Sequence, residues 1–253
     1  MRIILSPAKK MQHDENGPAY RGLPIFLSDA EKIKDSLKEK SFSELKALWA
    51  CNEKITEQNI ERLSSMDLRE KLTPAILSYD GIAYQYMAPT VFETEMLSYV
   101  QEHLRILSGF YGVVRPMDGV SPYRLEMQAK LEIDGAKNLY EYWGDRLYKE
   151  VRDSSGIIIN LASKEYSKCI EKYLQPGDRY ISCNFFEEQE GKLVQKGVYC
   201  KMARGEMVRF MAEKRIEEPE EIKHFSVMGY RFSKELSSEK EYIFVRSKEP
   251  DEA

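Results

Sequence analysis

The spacing of hydrophobic positions changes character near residue 104. Between residues 28 and 103 apolar side chains recur at helical spacing, as Ile33 and Leu37 do, and polar residues separate them. The region also carries helix-start signals, in which a hydroxyl and a later carboxylate satisfy the free amides of the first turn, or proline takes the first helical position. These are Ser28 with Glu31, Ser41 with Glu44, Thr90 with Glu93, and Thr73-Pro74. The pattern predicts a mostly helical subregion over residues 28–103.

Strand patterns dominate at the N-terminus and after residue 104. Residues 157–161 form an unbroken apolar run, which is typical of a central strand that is buried on both faces. Residues 125–133 alternate between apolar and polar side chains, which favours a strand with one buried face. The remaining predicted elements are a first strand in the N-terminal run 1–7, strands at 104–107 and 242–245, a hairpin of 179–187 with 192–201 around Glu190-Gly191, and helices at 139–147, 163–174 and 203–216.

Strands that alternate with helices indicate a mixed α/β or α+β fold. We predict a single compact unit over residues 1–253, with a mixed central sheet flanked by helices and an inserted β-hairpin. No linker or internal repeat divides the chain.

Composition places the chain among ordinary folded proteins. Its 28 aromatic residues exclude a disordered chain, and its net charge of −4 at first argues against a nucleic-acid binder. No apolar run is long enough to span a membrane, and the N-terminus does not resemble a signal peptide, so we expect a cytoplasmic protein without a membrane partner. The four cysteines are scattered and are expected to be reduced and buried. The three histidines lie far apart, and no metal site is predicted.

The first candidate site directly follows the first strand. It reads Ser6-Pro7-Ala8-Lys9-Lys10, and α/β folds place ligands at such strand ends. Lys9 and Lys10 are suited to binding a phosphate, although a solvated pair of lysines explains the same residues.

The second candidate is the glycine- and proline-rich stretch from 107 to 124. Its irregular backbone can turn amides toward an anion, and Arg115 and Arg124 adjoin its prolines. Tyr111 and Tyr123 are available to stack on bases. A structural crossover that packs Phe110 and Tyr111 into the core is an equally good interpretation.

The third candidate is the strongly basic stretch 192–215, which carries seven basic and two acidic residues, a net charge of +5. If a helix starts near Ala203, Lys201 and Arg204 lie at its N-terminus, where the helix dipole also favours an anion. The acidic run 217–221 cancels this charge in the overall sum.

Conventional catalytic sets are missing from the sequence. Asp80, in Tyr79-Asp80-Gly81, is a candidate general base, although Asp-Gly is more often a turn. Asn160 and Ser163 end the buried strand at an expected ligand edge, but they indicate no reaction type.

With these segments together, the sequence resembles the bacterial YaaA family of peroxide stress resistance proteins. The motifs that carry the resemblance run in order along nearly the whole chain, and the two blocks at 105–127 and 200–210 are the most specific. The matching segments are 6–9, 79–81, 105–112, 115–118, 122–127, 138–140, 143–144, 160–163, 165–166, 203–205 and 229–232.

The resemblance implies a cytoplasmic DNA-binding protein that protects cells from hydrogen peroxide by limiting free iron and thereby oxidative DNA damage. It also implies a mixed α/β fold with a positively charged cleft and a helix-hairpin-helix-like element. Residues 42–69 are one candidate for that element, although 54–58 lack the usual glycine, and 109–112 are the other. The resemblance implies no established enzymatic activity and no cofactor.

Two functions therefore compete. The first is a non-catalytic, largely sequence-independent DNA binder, with a monomer favoured and the backbone phosphates held by basic residues: Lys9, Lys10, Arg115, Arg124, Lys201 and Arg204. The second is an enzyme that acts on a nucleotide or nucleobase in the same pocket, with Asp80 or Glu126 as acid or base. A pure partner-binding or iron-handling role is a third alternative.

Overall fold

The computed structural model of the protein describes residues 1–14 and 17–246. Its strands are β1 (Arg2–Leu5), β2 (Lys10–Met11), β3 (Thr73–Pro74), β4 (Tyr79–Asp80), β5 (Leu104–Ser108), β6 (Gly112–Val114), β7 (Gly119–Val120), β8 (Ile157–Asn160), β9 (Arg179–Gln189), β10 (Lys192–Val194), β11 (Tyr230–Phe232) and β12 (Glu241–Arg246). Its α-helices are α1 (Leu27–Lys38), α2 (Phe42–Trp49), α3 (Glu53–Ser65), α4 (Ala75–Ser78), α5 (Ile82–Met87), α6 (Thr94–His103), α7 (Leu139–Trp143), α8 (Arg146–Val151), α9 (Lys164–Glu171) and α10 (Gly197–Lys214). Short 3-10 helices lie at Pro89–Val91, Pro219–His224 and Val227–Gly229.

The main sheet is mixed, as the sequence predicts. Its strand order is β11-β12-β9-β8-β1-β5-β6, and β10 pairs with β9 as a hairpin. The five central strands, from β12 to β5, run parallel, while β11, β6 and β10 are antiparallel to their neighbours. Ile3 of β1 is in register with Leu104 of β5 and Ile159 of β8, and all three are fully buried. This burial on both faces explains the unbroken apolar run at 157–161.

The prediction of a helical subregion at 28–103 is confirmed, but the predicted helix starts are only partly correct. The capping box at Ser41 and Glu44 is present at the start of α2. By contrast, α1 begins at Leu27 and α6 at Thr94, so neither Ser28 nor Thr90 caps a helix. Thr73-Pro74 forms the short strand β3, which pairs with Gly119 and Val120 of β7.

Residues 125–133 do not form the predicted strand. Their apolar side chains are buried, from Leu125 to Ile133, so the alternation correctly identifies the inward face. Among the described residues no strand pairs with the segment, and its bridge between Ile133 and Ala136 is isolated. Alternation of apolar and polar side chains predicts which face of a segment is buried. It does not predict a strand, because a strand also needs a neighbouring strand to pair with, and the sequence does not show one.

The second arm of the predicted hairpin is shorter than expected. Strand β10 ends at Val194 and α10 begins at Gly197, so 195–201 are not a strand. Cys200, Ala203, Met207, Val208 and Met211 form the buried face of α10, and their spacing is helical. Lys201 and Arg204 therefore lie inside the helix, and the prediction that they stand at its N-terminus is wrong.

None of the helices in the described part of the chain combines the length and the apolar character needed to cross a membrane. The four cysteines are free thiols, of which Cys51 is partly exposed and Cys169, Cys183 and Cys200 are buried.

Candidate functional site

A cleft of about 390 Å³ opens where the parallel strands β1 and β8 end. The chain leaves β1 through residues 6–10 and leaves β8 through 161–166, and both segments line the cleft. Residues 80–84 and 123–126 form other parts of the wall, and α10 contributes Lys201 and Arg204. The carboxyl edge of parallel strands is the usual ligand position in α/β folds, as the sequence predicts for Ser6-Pro7-Ala8-Lys9.

Hydrogen bonds hold the two strand ends together. The Ser6 hydroxyl donates to the Ser163 hydroxyl at 3.1 Å and accepts from the Ser163 amide at 2.8 Å. Ser163 is the N-cap of α9, so these bonds fix the start of that helix beside the end of β1. The Tyr84 hydroxyl donates to the Ser6 carbonyl at 3.0 Å, which ties α5 to the same point.

Glu126 is shared by two cations at the cleft wall. Its Oε1 lies 3.0 Å from Lys9 Nζ and 3.0 Å from Arg124 Nη2. Gly109 permits this arrangement, because a Cβ there would lie 2.8 Å from the Leu125 carbonyl oxygen and 3.0 Å from the backbone of Glu126. The glycine-rich stretch is thus a close-packed support for the segment that carries Glu126.

The pKa values of the other two carboxyl groups in the cleft, those of Asp80 and Glu165, are shifted in opposite directions. Asp80 forms an ion pair with Lys10, and hydrogen bonds from Lys10 and Gln85 lower the pKa of Asp80. A paired carboxylate with a lowered pKa is a weak general base. Glu165, in the first turn of α9, is half-buried, and burial raises its pKa although the Gln128 amide donates to it at 3.2 Å. Of these two carboxyl groups, Glu165 has the raised pKa and therefore holds a proton more readily than Asp80.

Arg204 differs from the other cations of the cleft. Its Nε is buried without a hydrogen-bond partner, as that of Arg124 is, but unlike Arg124 it forms no ion pair with any other residue in the described ranges. Burial lowers the pKa of Arg204. Helix α10, which carries Arg204, packs closely on α5, where a Cβ on Gly205 would lie 2.0 Å from the Ala83 carbonyl oxygen. Lys201, one turn earlier, is exposed.

The cleft brings together nine of the twelve residues that the sequence singles out. They are Lys9, Lys10, Asp80, Tyr123, Arg124, Glu126, Ser163, Lys201 and Arg204. The three others lie elsewhere. Arg115 faces Glu150 at 3.4 Å, and Asn160 is buried, where its amide donates to Ser182 and its oxygen accepts from Ala162.

Neither tyrosine is free to stack on a base as predicted. Tyr111 is fully buried and its hydroxyl accepts from the Ser121 amide. Tyr123 reaches the cleft, but it is 6% exposed, stacks on Phe110, and shares hydrogen bonds with Tyr79 and Ser108. The crossover interpretation of residues 107–124 is therefore the better one for these rings.

Sequence reasoning missed Glu165, Tyr84 and Gly205. Both Glu165 and Gly205 lie in segments that resemble the family. Glu165 also lies in the first turn of the helix that follows β8, so its position near a ligand edge could have been predicted from the sequence. Tyr84 joins the cleft only through the packing of α5, and no local pattern marks it.

Residues 42–69 form the two expected helices, but the turn between them lacks the features that would bind a phosphate. Helices α2 and α3 are joined by residues 50–52, and Ala50 adopts a left-handed conformation in place of glycine. The Asn52 side chain already accepts from the Ile55 amide, and Glu53 occupies the first turn of α3, so an acidic residue stands where a phosphate would bind. The segment carries five acidic and four basic residues. The other candidate, 109–112, is buried.

Comparison with known proteins decides the relationship. A family model described as "Peroxide stress protein YaaA" matches residues 1–236. The chain belongs to this family. The match includes every residue that lines the cleft, from Leu5 to Arg204.

Proteins that carry the family-level name UPF0246 are similar to the chain over nearly its whole length. One from Agathobacter rectalis is 61% identical over 246 residues, which cover 97% of this chain and 99% of the relative. One from Desulfitobacterium hafniense is 51% identical and covers 98% of each chain, and one from Lachnoclostridium phytofermentans is 50% identical over 97% and 96%. The YaaA description connects this sequence group with peroxide stress.

Proposed function

We propose that the protein is a cytoplasmic DNA-binding protein of the peroxide stress response, which limits iron-dependent DNA damage and holds backbone phosphate in the cleft. The observation that carries the DNA-binding part is the half-buried side chain of Arg204, which lies beside Lys201 and whose Nε is buried without a hydrogen-bond partner. The family description supports the stress role.

Partial burial of a cation without a counter-ion is unfavourable, because the interior solvates charge poorly. The cost is tolerated where a ligand supplies the missing negative charge. A guanidinium is well suited to a phosphate, since its planar donors match two phosphate oxygens. Lys9, Lys10 and Arg124 surround the same space and add to the positive potential, although each already has a carboxylate partner.

The proposal is tested by fluorescence anisotropy with labelled single-stranded and duplex DNA over a range of salt concentrations. Binding through phosphates predicts a linear fall of log affinity with log salt and little dependence on sequence. Arg204→Gln is expected to weaken binding about tenfold or more, since it removes a charge-assisted contact. Arg209→Gln is the matched control, because Arg209 lies on the same helix and pairs with Glu213 on the surface. Affinity that is unchanged by salt and by Arg204→Gln contradicts the proposal.

A second candidate function is an enzyme that acts on a nucleotide or nucleobase. The position of Glu165, which faces the same cleft as the cations and whose pKa burial raises, favours it, since a raised pKa makes a carboxyl group a better candidate for a general acid. Of the two acids suggested by the sequence, Asp80 is poorly placed for this role because Lys10 neutralises it, and Glu126 is shared between Lys9 and Arg124.

Incubation with nucleotides and short oligonucleotides, followed by chromatography of the products, tests this candidate. A product that forms with the native chain and is lost in Glu165→Gln, while binding is retained, supports an enzyme. Unaltered substrates at stoichiometric protein concentration count against it.

A further inference from the structure

The charges that line the cleft leave a surplus of two positive charges. The lining contains five cations and three carboxylates. Glu126 serves both Lys9 and Arg124, and Asp80 serves Lys10. Glu165 takes an amide hydrogen bond from Gln128 and has no cationic partner within ion-pair distance in the described part of the chain.

The two cleft cations that have no carboxylate partner among residues 1–14 and 17–246 lie on one helix. Lys201 and Arg204 are three residues apart on α10, so both project from the same face toward the cleft. Arg204 Nε is among the few buried polar atoms in the described ranges that have no partner. Donors that are already oriented and unpaired bind an anion without first breaking an internal ion pair.

The cleft is large enough for a single small ligand, such as one nucleotide, and not for several nucleotides of a strand. A space of about 390 Å³ lies at the lower end of the range for pockets that hold a single small ligand. Proteins that hold a continuous strand without sequence preference occupy several nucleotides in an open groove. Apolar side chains from Ile82, Ala83, Leu125 and Leu161 line part of the space and can cover a sugar or a base.

We infer that the cleft binds a phosphate monoester, as found at the end of a nucleic-acid strand or on a nucleoside monophosphate, in preference to an internal phosphodiester. A monoester carries close to two negative charges at neutral pH, which match the surplus of two positive charges. An internal phosphodiester carries one negative charge. The nucleic-acid strand continues on both sides of it, so both neighbouring nucleotides would have to extend out of a cleft that fits one nucleotide. The inference rests on the proposed function, since it names the part of a nucleic acid that the site takes.

The test compares a labelled single-stranded oligonucleotide that carries a 5′-phosphate with the same oligonucleotide carrying a 5′-hydroxyl. Titration calorimetry with adenosine 5′-monophosphate and with adenosine gives the corresponding comparison for a mononucleotide. We expect about tenfold tighter binding of the phosphorylated member of each pair, since the contacts are charge-assisted. Arg204→Gln is expected to abolish the preference and Arg209→Gln to preserve it.

Lys201→Gln is the second variant, because Lys201 is exposed and its replacement leaves the core intact. Lys201→Gln is expected to reduce the preference for the phosphorylated ligand, and it tests the inference independently if Arg204→Gln does not fold. Equal affinity for the 5′-phosphate and 5′-hydroxyl strands, with adenosine binding as well as its monophosphate, overturns the inference and leaves DNA binding standing. Binding of the monophosphate that depends on Arg204, without binding of either strand, supports the inference and rejects the DNA-binding function.

Discussion

Lys9 reaches Glu126 with Nζ 3.0 Å from Oε1, and this contact joins the loop after β1 to the segment that follows Pro122. Both residues belong to motifs that are far apart in the sequence. The contact makes Glu126 a built-in competitor for the cations that a phosphate would use, because Arg124 shares the same carboxylate oxygen.

Glu126→Gln is therefore expected to strengthen DNA binding. Removal of the carboxylate frees Lys9 and Arg124, and an about threefold to tenfold gain in affinity is expected at low salt. Stability should fall by about 1–3 kcal/mol, because the side chains of Arg124 and Glu126 are only 14% and 16% exposed and the substitution leaves a largely buried guanidinium without its counter-ion. Anisotropy and thermal melting measure the two effects. Weaker binding in this variant would mean that Glu126 contacts the ligand itself.

Gly205→Ala is expected to destabilise the protein. The new Cβ would lie 2.0 Å from the Ala83 carbonyl oxygen, so α10 must move away from α5. Overpacking of this kind costs about 1–3 kcal/mol or more, and it would also displace Arg204. Gly197→Ala is the control, since nothing lies within 4 Å of a Cβ at that first helical position. Chemical denaturation measures both variants, and equal stabilities would show that the two helices are not packed this closely.

Asp118 gives the protein a pH-dependent element of stability. The side chain is 6% exposed, and burial raises the pKa of Asp118 to about 6 although the Arg115 amide donates to it. Because the folded-state pKa lies above that of the unfolded chain, the stabilisation is complete below about pH 4 and is lost as the pH rises through 6. Asp118→Asn keeps an acceptor and does not titrate. Its stability relative to the native chain should rise by roughly 3 kcal/mol at most between pH 4 and pH 7.

Denaturant titrations of both chains across this range provide the measurement. The difference between native and variant removes the contribution of every other titrating group that the substitution leaves undisturbed. A difference that stays constant with pH would show that Asp118 titrates normally.

The α2–α3 hairpin is expected to play little part in DNA binding. Lys54 is exposed on α3 beside Glu53 and Glu57, and the Asn52 side chain caps the helix. Lys54→Gln should leave DNA affinity within about twofold, while Lys201→Gln lowers it, because one removed phosphate contact reduces both the affinity and its salt dependence. The reverse order of effects would place the binding surface on the hairpin.

The cysteines are expected to resist direct oxidation. Burial raises the pKa of Cys169 and of Cys183 to about 12 and also raises that of Cys200, so their reactive thiolate forms are scarce. Mass spectrometry after mild peroxide treatment should find Cys51 modified first, because it is partly exposed. Rapid oxidation of Cys183 or Cys200 in the folded chain would instead indicate a redox sensor beside Arg204.

The sequence predicts most of the sheet and most of the cleft, and its failures share one cause. Strands β1, β5 and β8 are recognisable because burial on both faces demands continuous apolar runs. The irregular segment 125–133 and the early start of α10 depend on which neighbours are present, and a periodic pattern reports only which side faces inward. The isolation of Arg204 is likewise invisible in the sequence, because a missing partner is a property of the folded surroundings.

The most direct measurement is a crystal structure of the protein with a short 5′-phosphorylated oligonucleotide. The account predicts the terminal phosphate in the cleft, within hydrogen-bond distance of the Arg204 guanidinium and close to Lys201. An oligonucleotide that lies along the α2–α3 hairpin, with no phosphate in the cleft, would contradict it.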